Sequence, residues 1–462
     1  MNDFQLDKTV SLGEKIHMIG IGGISMSGLA EALLSRGYKV SGSDVNASAL
    51  TESLQSKGAE IKIGHAASNV GECSLVVHTA AVKKDNPEMI EAFRRSIPTI
   101  ERSVLLGAIM RDYKNAIAVA GTHGKTTTTG MLASVFMHAD ADPTISIGGE
   151  LADIRNFKLG HSDVFITEAC EYHRSFLEFF PKIAIILNVE EDHLDYYRDL
   201  SDIKSAFRDF ASLVPEDGAA VVCADCENAM DAVYESNAKF VTYSSTKEAD
   251  YRAINLKEND FCRYSFDVTY HDEKLATVHL SVPGRLMVDN ALASFATASL
   301  LGVDSQTIAE GLASFKGVKR RMETIGFMRD VLVLDDYAHH PTEIASTIKT
   351  LKSIAKEKIH LLFQPHTYTR TATLFDSFVE TFSDPDLCVY FLDIYAAREK
   401  DTGYISSRDL RDKIHGSIYF SSFAEAESYL MHHAKPNDII ITVGAGDVWK
   451  IGRNLVDKNI MK

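Results

Sequence analysis

The residues best suited to chemistry form one short run, Gly-Thr-His-Gly-Lys-Thr at 121–126, between an apolar stretch and a helix-favouring one. Glycines let backbone N–H groups approach phosphate oxygens closely, while a helix N-terminus and Lys125 add positive charge. Thr126 can offer its hydroxyl to Mg²⁺. The loop is shortened, because Val119 stands where the full pattern has its first glycine. The run predicts a strand, a phosphate loop and a helix; the plain alternative is a turn whose lysine is merely exposed.

Acidic residues follow two apolar stretches farther along the chain. Glu168 and Glu171 come after 163–167, and the run Glu-Glu-Asp-His-Leu-Asp at 190–195 comes after 183–187. Carboxylates at the carboxyl end of a strand, downstream of a phosphate loop, are where Mg²⁺ is usually held. One such cluster alone would most often be a solvated loop. Two of them, in a chain with a phosphate loop, predict a metal site.

A second glycine-rich turn lies near the N-terminus. The apolar residues 16–19 lead into Gly-Ile-Gly-Gly at 20–23, and a helix over 29–36 and a strand ending at Asp44 follow. This order resembles a dinucleotide-binding fold, but Ser25 replaces the third glycine of the pattern, so NAD is not required. The same turn could hold the diphosphate of a nucleotide sugar, or its glycines could serve tight packing alone.

The last third of the chain predicts another layered domain. Near-continuous apolar runs at 331–334, 359–363, 387–392 and 438–443 are typical of a parallel sheet covered on both faces. Polar residues, including several histidines, follow each run. Active sites in such sheets lie at the carboxyl ends of the strands. A lone histidine there is usually structural, but several polar strand ends at one edge predict a substrate site.

Between these regions the pattern changes. Alternating residues at 220–223, 240–243, 264–268 and 276–282 predict strands, the later ones antiparallel. A helix over 289–301 follows, and then a basic linker at 315–323. This linker is either a solvated charge run or the source of an arginine that reaches phosphate when domains close.

Composition limits the class of protein. The length of 462 residues suggests about three domains, and a formal net charge of −16 disfavours nucleic-acid binding. No long apolar run predicts a membrane span, and the first residues lack the plan of a signal peptide, so we expect a cytoplasmic protein. The six cysteines are scattered, with one close pair at Cys223 and Cys226, and we interpret them as reduced core thiols with metal or redox use as the alternative.

Together these features predict an ATP-using enzyme that joins two substrates, and the residues also resemble the Mur ligases of peptidoglycan synthesis. The resemblance rests on Gly-Thr-His-Gly-Lys-Thr-Thr at 121–127, Glu168, the Asp-His pair at 192–193, Asp-Asp-Tyr-Ala-His-His-Pro-Thr-Glu at 335–343 and Phe-Gln-Pro-His at 363–366. It spans nearly the whole chain, with the motifs in the family's order.

This resemblance implies an α/β fold with three domains. These are an N-terminal Rossmann-like UDP-sugar domain at 1–111, a central P-loop ATPase domain with added antiparallel strands at 112–322, and a C-terminal Rossmann-like α/β domain for the amino acid at 323–462. The implied reaction uses ATP and Mg²⁺. ATP phosphorylates the lactoyl carboxylate of UDP-N-acetylmuramate, and the amine of L-alanine then displaces phosphate. No nucleic acid or membrane insertion is implied.

The family pattern also implies roles for individual residues. Those expected to bind ATP are Gly121, Thr122, His123, Gly124, Lys125, Thr126, Thr127, Asn290 and Arg321. Metal is assigned to Thr126, Glu168 and His193. The UDP-sugar is assigned to Gly22, Gly23, Ser25, Asp44 and His65, and the amino acid to His339, His366 and Arg370. The implied catalytic set is Lys125, Glu168, His193, Arg321 and His339.

Several positions depart from the family pattern. Cys170 and Tyr172 stand where the family has Asp and Ser, which puts their sugar contacts in doubt. Leu286 and Met287 replace a His-Asn pair near the adenine site, and Thr367 replaces an arginine, so Arg370 must carry more of the carboxylate recognition. Two alternatives stay open: a ligase that recycles a peptide onto the same UDP-sugar, and an ATP-driven switch protein.

Overall fold

A computed structural model describes residues 4–79, 81–151, 154, 156–193, 196–259, 263–397 and 399–460. These residues form two compact units. The first contains the described residues up to 257 with 264–281 and 286–315, and the second contains those from 316 onward with 258–259, 263 and 282–285. Leu194 and Asp195 of the predicted acidic run, and Cys262, lie outside the described residues.

The first unit begins with a parallel sheet in the order β3-β2-β1-β4-β5. Its strands are β1 (Lys15–Ile19), β2 (Lys39–Asp44), β3 (Glu60–Ile63), β4 (Leu75–His78) and β5 (Thr99–Glu101). Its helices are α1 (Leu6–Thr9), α2 (Ile24–Ser35), α3 (Ala49–Ser56), α4 (Pro87–Arg94) and α5 (Arg102–Met110), with a 3₁₀ helix at Ala67–Val70. The strand order reverses beside β1, which is where doubly wound sheets bind ligands. The glycine-rich turn follows β1 directly.

The same unit contains a larger sheet in the order β15-β14-β13-β12-β11-β10-β6-β9-β7-β8. Its first strands are β6 (Asn115–Ala120), β7 (Thr144–Ser146), β8 (Phe157–Lys158), β9 (Val164–Glu168), β10 (Ile183–Ile186) and β11 (Ala219–Cys223). The others are β12 (Phe240–Ser244), β13 (Tyr251–Glu258), β14 (Arg263–Tyr270) and β15 (Glu273–Pro283). The helices are α6 (Lys125–His138), α7 (Leu200–Ala211), α8 (Glu227–Tyr234), α9 (Leu286–Leu300) and α10 (Ser305–Ser314), with a 3₁₀ segment at Tyr172–Glu178.

Parallel pairing aligns the strands that bear chemistry. β6 lies between β9 and β10 and pairs with both in parallel, with Val119 opposite Glu168 and Ala120 opposite Ile186. The phosphate loop and the residues after β9 and β10 therefore leave the sheet at one edge. The added strands β14 and β15 are neighbours joined by two residues, and such a short connection is possible only between antiparallel strands.

The second unit contains a sheet in the order β16-β17-β21-β18-β19-β20. Its strands are β16 (Glu323–Met328), β17 (Val331–Asp336), β18 (Ile359–Phe363), β19 (Leu387–Phe391), β20 (Ile418–Tyr419) and β21 (Ile439–Val443). Its helices are α11 (Pro341–Ile354), α12 (Tyr368–Thr373), α13 (Phe375–Phe382), α14 (Ser407–Lys413), α15 (Phe423–His433) and α16 (Trp449–Ile460). Successive residues of β21 enter opposite cores, with Ile441 in one and Ile440 in the other. This confirms the prediction of a sheet covered on both faces.

β16 has no counterpart among the predicted strands. It pairs with β17 in antiparallel fashion, and the register shifts between Thr324 and Gly326. This irregularity interrupts the alternation that marks a strand in sequence. No helix among the described residues is long and apolar enough to cross a bilayer.

Candidate active site

The phosphate loop depends on two glycines. Gly121 has φ +144° and Gly124 has φ +85°, a backbone region that L side chains rarely adopt. A Cβ on Gly121 would also lie 2.9 Å from the Cβ of Leu187. Both glycines are therefore required by backbone conformation, and Gly121 by space as well.

Asn188, two positions beyond β10, holds this loop in shape. Asn188 Oδ1 accepts from the His123 backbone N–H at 2.8 Å, and its Nδ2 donates to the His123 carbonyl at 3.1 Å. The Asn188 carbonyl accepts from the Thr122 N–H at 3.1 Å. Glu190 donates its backbone N–H to Thr122 Oγ1 at 2.9 Å. Asn188 is absent from the predicted site residues, although its position just beyond a strand next to the loop is a usable signal.

Lys125 folds back over the loop. Its Nζ donates to the carbonyls of Gly121 at 2.5 Å and Thr122 at 3.1 Å, and to both oxygens of Glu171 at 3.0 and 3.1 Å. Burial alone would lower the Lys125 pKa, but the negative charge of buried Glu171 outweighs it, so the pKa lies above its ordinary value. Lys125 is therefore charged. Glu171 belongs to one of the two acidic clusters that predicted a metal site, but the family pattern assigned it no individual role.

Glu168 ends β9 beside the start of α6. Its Oε2 accepts from Thr126 Oγ1 at 3.0 Å, and its Oε1 accepts from the Gly148 N–H at 2.5 Å. A hydroxyl and a carboxylate are oxygen donors of the kind that Mg²⁺ prefers. Of the three predicted metal residues, the structure thus pairs Thr126 with Glu168.

The third predicted metal residue lies in a second group. His193 Nε2 is 3.9 Å from Glu171 Oε1 and 3.8 Å from Asp192 Oδ2. One donor atom from each of these three residues lies within 4.8 Å of the others, so the group could hold a cation. The carboxylates suit Mg²⁺, whereas imidazole is a less typical ligand for it. The ring of Tyr172, which replaces the family's serine, lies 4.6 Å from that of His193.

The predicted UDP-sugar residues lie at the carboxyl ends of β1, β2 and β3. Gly22 and Gly23 form the turn after β1, and Ser25 is in the first turn of α2. Asp44, at the end of β2, accepts from the Gly22 backbone N–H at 2.9 Å. His65, just after β3, lies 3.0 Å through its Nδ1 from Ser43 Oγ. The structure brings this set together, and its role in binding stays a prediction.

Asn290 lies beside the phosphate loop. It belongs to α9 and is buried, and a Cβ on Gly124 would lie 2.8 Å from its Oδ1. Its proposed contact with adenine stays a prediction. Leu286, at the start of the same helix, is exposed.

The predicted amino-acid residues form one cluster in the second unit. The ring centroids of His339 and His366 are 5.7 Å apart, and His366 stacks on Tyr395 at 5.8 Å. Arg370 Nη1 lies 3.2 Å from His366 Nδ1. Burial lowers the pKa of His339, and burial together with the charges of His339 and Arg370 lowers that of His366 to about 4. Both imidazoles are therefore neutral at pH 7.

Hydrogen bonds fix the tautomers of these two rings. A guanidinium can only donate, so His366 Nδ1 accepts from Arg370 and the proton of the neutral ring is on Nε2. His339 Nδ1 lies 3.0 Å from the Tyr337 carbonyl, which can only accept, so His339 carries its proton on Nδ1. The cluster thus offers an acceptor at His339 Nε2 and a donor at His366 Nε2.

Two adjacent arginines precede this cluster and differ in their contacts. Arg320 Nε lies 3.1 Å from buried Asp335, and its guanidinium also donates to the Gly444 carbonyl, so its role is structural. Arg321 lies 5.5 Å over the ring of Tyr337. Burial raises the pKa of Asp336 to about 6 against the positive charge of Arg321. Contact of Arg321 with ATP stays a prediction.

These elements define an α/β enzyme with a glycine-rich sheet edge, a phosphate loop flanked by carboxylates and a separate polar edge in the second unit. The chain matches family models described as "Mur ligase family, catalytic domain" over 15–114, "Mur ligase middle domain" over 119–298 and "Mur ligase, glutamate ligase domain" over 320–446. The chain belongs to the Mur ligase family.

Relatives and solved structures agree with this. A protein from Clostridium botulinum (strain Langeland), described as UDP-N-acetylmuramate--L-alanine ligase, is 47% identical over 460 residues, which is 98% of this chain and 99% of that one. A Clostridium tetani protein of the same description is 48% identical over 95% of this chain and 97% of its own length. The crystal structure of UDP-N-acetylmuramate-alanine ligase from Thermotoga maritima matches with TM-score 0.79 and 30% identity, covering 97% of this chain and 99% of that one. A murein peptide ligase from Psychrobacter arcticus matches with TM-score 0.70 and 27% identity, covering 96% and 98%.

Proposed function

We propose that this chain is an ATP-dependent ligase that joins L-alanine to the lactoyl carboxylate of UDP-N-acetylmuramate in peptidoglycan precursor synthesis, giving ADP and phosphate. The observation that carries the proposal is the likeness, at 47% identity over 98% of the chain, to a protein of this activity. The intact phosphate loop, with Lys125 and Thr126 next to two groups of carboxylates, supports the use of ATP.

In the first step, the loop N–H groups and Lys125 bind the β- and γ-phosphates of ATP. The lactoyl carboxylate attacks the γ-phosphorus, a new oxygen–phosphorus bond forms, and the bond to ADP breaks. Positioning and charge neutralisation supply most of the catalysis. Mg²⁺, for which Thr126 and Glu168 would be ligands, with His193 beside a second position, supplies further positive charge at the phosphates when bound.

In the second step, the amine of L-alanine attacks the acyl phosphate. A carbon–nitrogen bond forms through a tetrahedral intermediate, the carbon–oxygen bond to phosphate breaks, and phosphate leaves. His339 accepts the amine proton at Nε2, because its Nδ1 already donates to the Tyr337 carbonyl. His366, through Nε2–H, and Arg370 bind the alanine carboxylate.

This assignment sharpens the roles expected from sequence. There, the resemblance assigns His339, His366 and Arg370 to the amino acid, with His339 also in the catalytic set and Arg370 carrying more of the carboxylate recognition. The hydrogen bonds of the two rings give them different roles. His339 Nε2 is the acceptor for the amine proton, and His366 Nε2–H and Arg370 are the donors to the carboxylate. Neutral imidazoles at pH 7 support this, since protonated His339 could not accept a proton.

A coupled phosphate-release assay tests the function. We expect release only when ATP, UDP-N-acetylmuramate and L-alanine are all present. Full release with neither substrate present would instead indicate an ATP-driven switch protein. Release with a murein peptide in place of L-alanine would favour a recycling ligase, the alternative that the Psychrobacter arcticus likeness keeps relevant.

We further propose the cytoplasm as the compartment, because the reaction consumes ATP and a nucleotide sugar. The cysteines that the structure describes are free, as is usual in a reducing compartment.

A further inference from the structure

A buried polar network lies beneath the glycine-rich turn of the first sheet, centred on Glu88. This residue is in the first turn of α4 and is fully buried. Its carboxylate is the acceptor for five groups: His17 Nε2 at 2.9 Å, Ser43 Oγ at 2.7 Å, Asn69 Nδ2 at 2.9 Å, the Ala66 N–H at 3.2 Å and His65 Nδ1 at 3.2 Å. Because burial of a charge is costly, a carboxylate in this position needs donors at both of its oxygens, and the network supplies them.

Glu88 is ionised in this network. Burial by itself would raise its pKa, but hydrogen bonds from His17, Ser43 and Asn69 outweigh burial and lower the pKa to about 2. At neutral pH the carboxylate can therefore only accept hydrogen bonds.

This fixes where the proton of His65 lies. Because Glu88 only accepts, the Ser43 hydroxyl donates to Glu88 Oε2 at 2.7 Å. The Ser43 oxygen then accepts from His65 Nδ1 at 3.0 Å, and Glu88 Oε1 accepts from the same nitrogen at 3.2 Å. Both contacts require a proton on Nδ1. His65 Nε2 is thus the nitrogen that can face a ligand.

The same network joins the three strand ends that were predicted to hold the nucleotide sugar. The Ser43 carbonyl accepts from the backbone N–H groups of Gly20 at 2.8 Å and Ile21 at 3.0 Å in the glycine-rich turn. The Asp44 carbonyl accepts from the Gly64 N–H at 2.8 Å, directly before His65. The hydrogen bonds around Glu88 therefore fix the glycine-rich turn and His65 in position relative to each other.

We propose that Glu88 is a positioning residue of the UDP-sugar site, which holds the His65 ring with its proton on Nδ1 so that Nε2 can accept a hydrogen bond from a hydroxyl or N–H group of the UDP-sugar. This inference rests on the proposed function. The arrangement follows a general rule: a carboxylate behind a histidine fixes the orientation of the ring and which of its nitrogens carries the proton. Glu88 itself touches no substrate, because it is fully buried.

Calorimetric titration of UDP-N-acetylmuramate into the full-length protein tests the proposal. Glu88→Gln should raise the Kd for the UDP-sugar by roughly 10- to 100-fold, the range seen when the partner behind a metal-binding histidine is lost. The Kd for a nonhydrolysable ATP analogue should stay unchanged. The matched control is Glu91→Gln, which removes the same charge from the same helix, where Glu91 pairs with Arg94 at 2.7 Å outside the network.

A double-mutant cycle separates positioning from simple destabilisation. If Glu88 acts through His65, Glu88→Gln should add little loss of UDP-sugar affinity in a His65→Ala background. An equal loss in both backgrounds would overturn the proposal, as would a folded Glu88→Gln protein with wild-type affinity. Should Glu88→Gln fail to fold, Ser43→Ala, which keeps the carboxylate and removes the bridging hydroxyl, should weaken binding in the same direction.

A measurement without ligand distinguishes failure of this inference from failure of the proposed function. Nitrogen-15 NMR of histidine-labelled protein at pH 8, with the His65 signal assigned by comparison with His65→Ala, should show the proton on Nδ1. It should move largely to Nε2 in Glu88→Gln, whereas Ser43→Ala, which keeps the Glu88 carboxylate next to the same nitrogen, should leave it on Nδ1. A neutral His65 with its proton on Nε2 in the wild type would overturn the positioning role, whereas absence of UDP-sugar binding by the wild type with the proton on Nδ1 would contradict the proposed function alone.

Discussion

Lys125 Nζ lies 3.0 and 3.1 Å from the two carboxylate oxygens of buried Glu171. The same ammonium also donates to two carbonyls of its own loop. The N–H groups of the Lys125 ammonium thus already donate to protein oxygens. A phosphate that binds Lys125 must therefore displace Glu171 or share the positive charge of Lys125 with it.

Lys125→Ala should lower kcat by at least about 100-fold, because it removes a full charge from the phosphate-transfer step. Binding of UDP-N-acetylmuramate should stay unchanged, since the predicted sugar residues lie on the first sheet. The measurements are phosphate release and calorimetry. Lys204→Ala is a suitable control, because this lysine pairs with Asp231 on the surface of the same unit. Loss of sugar binding in Lys125→Ala would contradict the predicted division of labour between domains.

Glu171→Gln should leave Lys125 charged and buried without the negative charge that balances it. We therefore expect the free energy of unfolding of the first unit to fall by about 3 kcal/mol. A nucleotide triphosphate would then replace the missing negative charge. We therefore expect an ATP analogue, in EDTA, to raise the Tm of Glu171→Gln more than that of the wild type. A smaller rise would mean that Glu171 assists nucleotide binding directly.

In the histidine cluster of the second unit, we expect substitution of one histidine to affect mainly kcat and substitution of the other to affect mainly KM. His339→Ala should lower kcat by about 100-fold or more, because it removes the proton acceptor for the amine. His366→Ala should mainly raise the KM for L-alanine, by roughly tenfold, because it removes a donor to the carboxylate. Initial-rate kinetics over a range of alanine concentrations measure both. His432→Ala, on the exposed face of α15, should change neither value, and equal effects of His339→Ala and His366→Ala would contradict the assignment.

Local spacing made much of the molecule predictable. The phosphate loop is contained in six consecutive residues, and the strands of the parallel sheets are recognisable in sequence as apolar runs that end in polar residues. The family resemblance then placed Thr126 and Glu168 together, and their side chains lie 3.0 Å apart.

Contacts between distant residues were not predictable in this way. Glu88 meets His17 across 71 positions and Ser43 across 45, and none of these residues has a local pattern that links it to the others. Glu171 is similar, because only the fold shows that it faces Lys125 and not solvent. The tautomers of His339 and His366 depend on near neighbours in sequence, Tyr337 and Arg370, but on contact geometry that residue spacing alone does not give.

The second unit should lose stability in acid through Glu343. Burial would raise the pKa of this carboxyl, but the charge that His339 gains in acid, the charge of Arg321 and the backbone N–H groups of His339 and His340 outweigh it and lower the pKa to about 2. An unfolded glutamate titrates near ~4.3, so the folded state gains stability from ionised Glu343 above that pH and loses it as pH falls toward about 2. Because the side chain is 27% exposed, we expect a contribution of about 2 kcal/mol at pH 7.

Glu343→Gln isolates this contribution, since glutamine cannot ionise. The difference in unfolding free energy between wild type and variant should be about 2 kcal/mol at pH 7 and should shrink steadily between about pH 4.5 and pH 3. The chain has one tryptophan, Trp449 in α16, so its fluorescence during urea unfolding reports on the unit that contains Glu343. Glu357→Gln, an exposed position between α11 and β18, should show no such pH dependence. A difference for Glu343→Gln that stays constant from pH 7 to pH 3 would mean that the carboxyl stabilises this unit by packing alone and not by its charge.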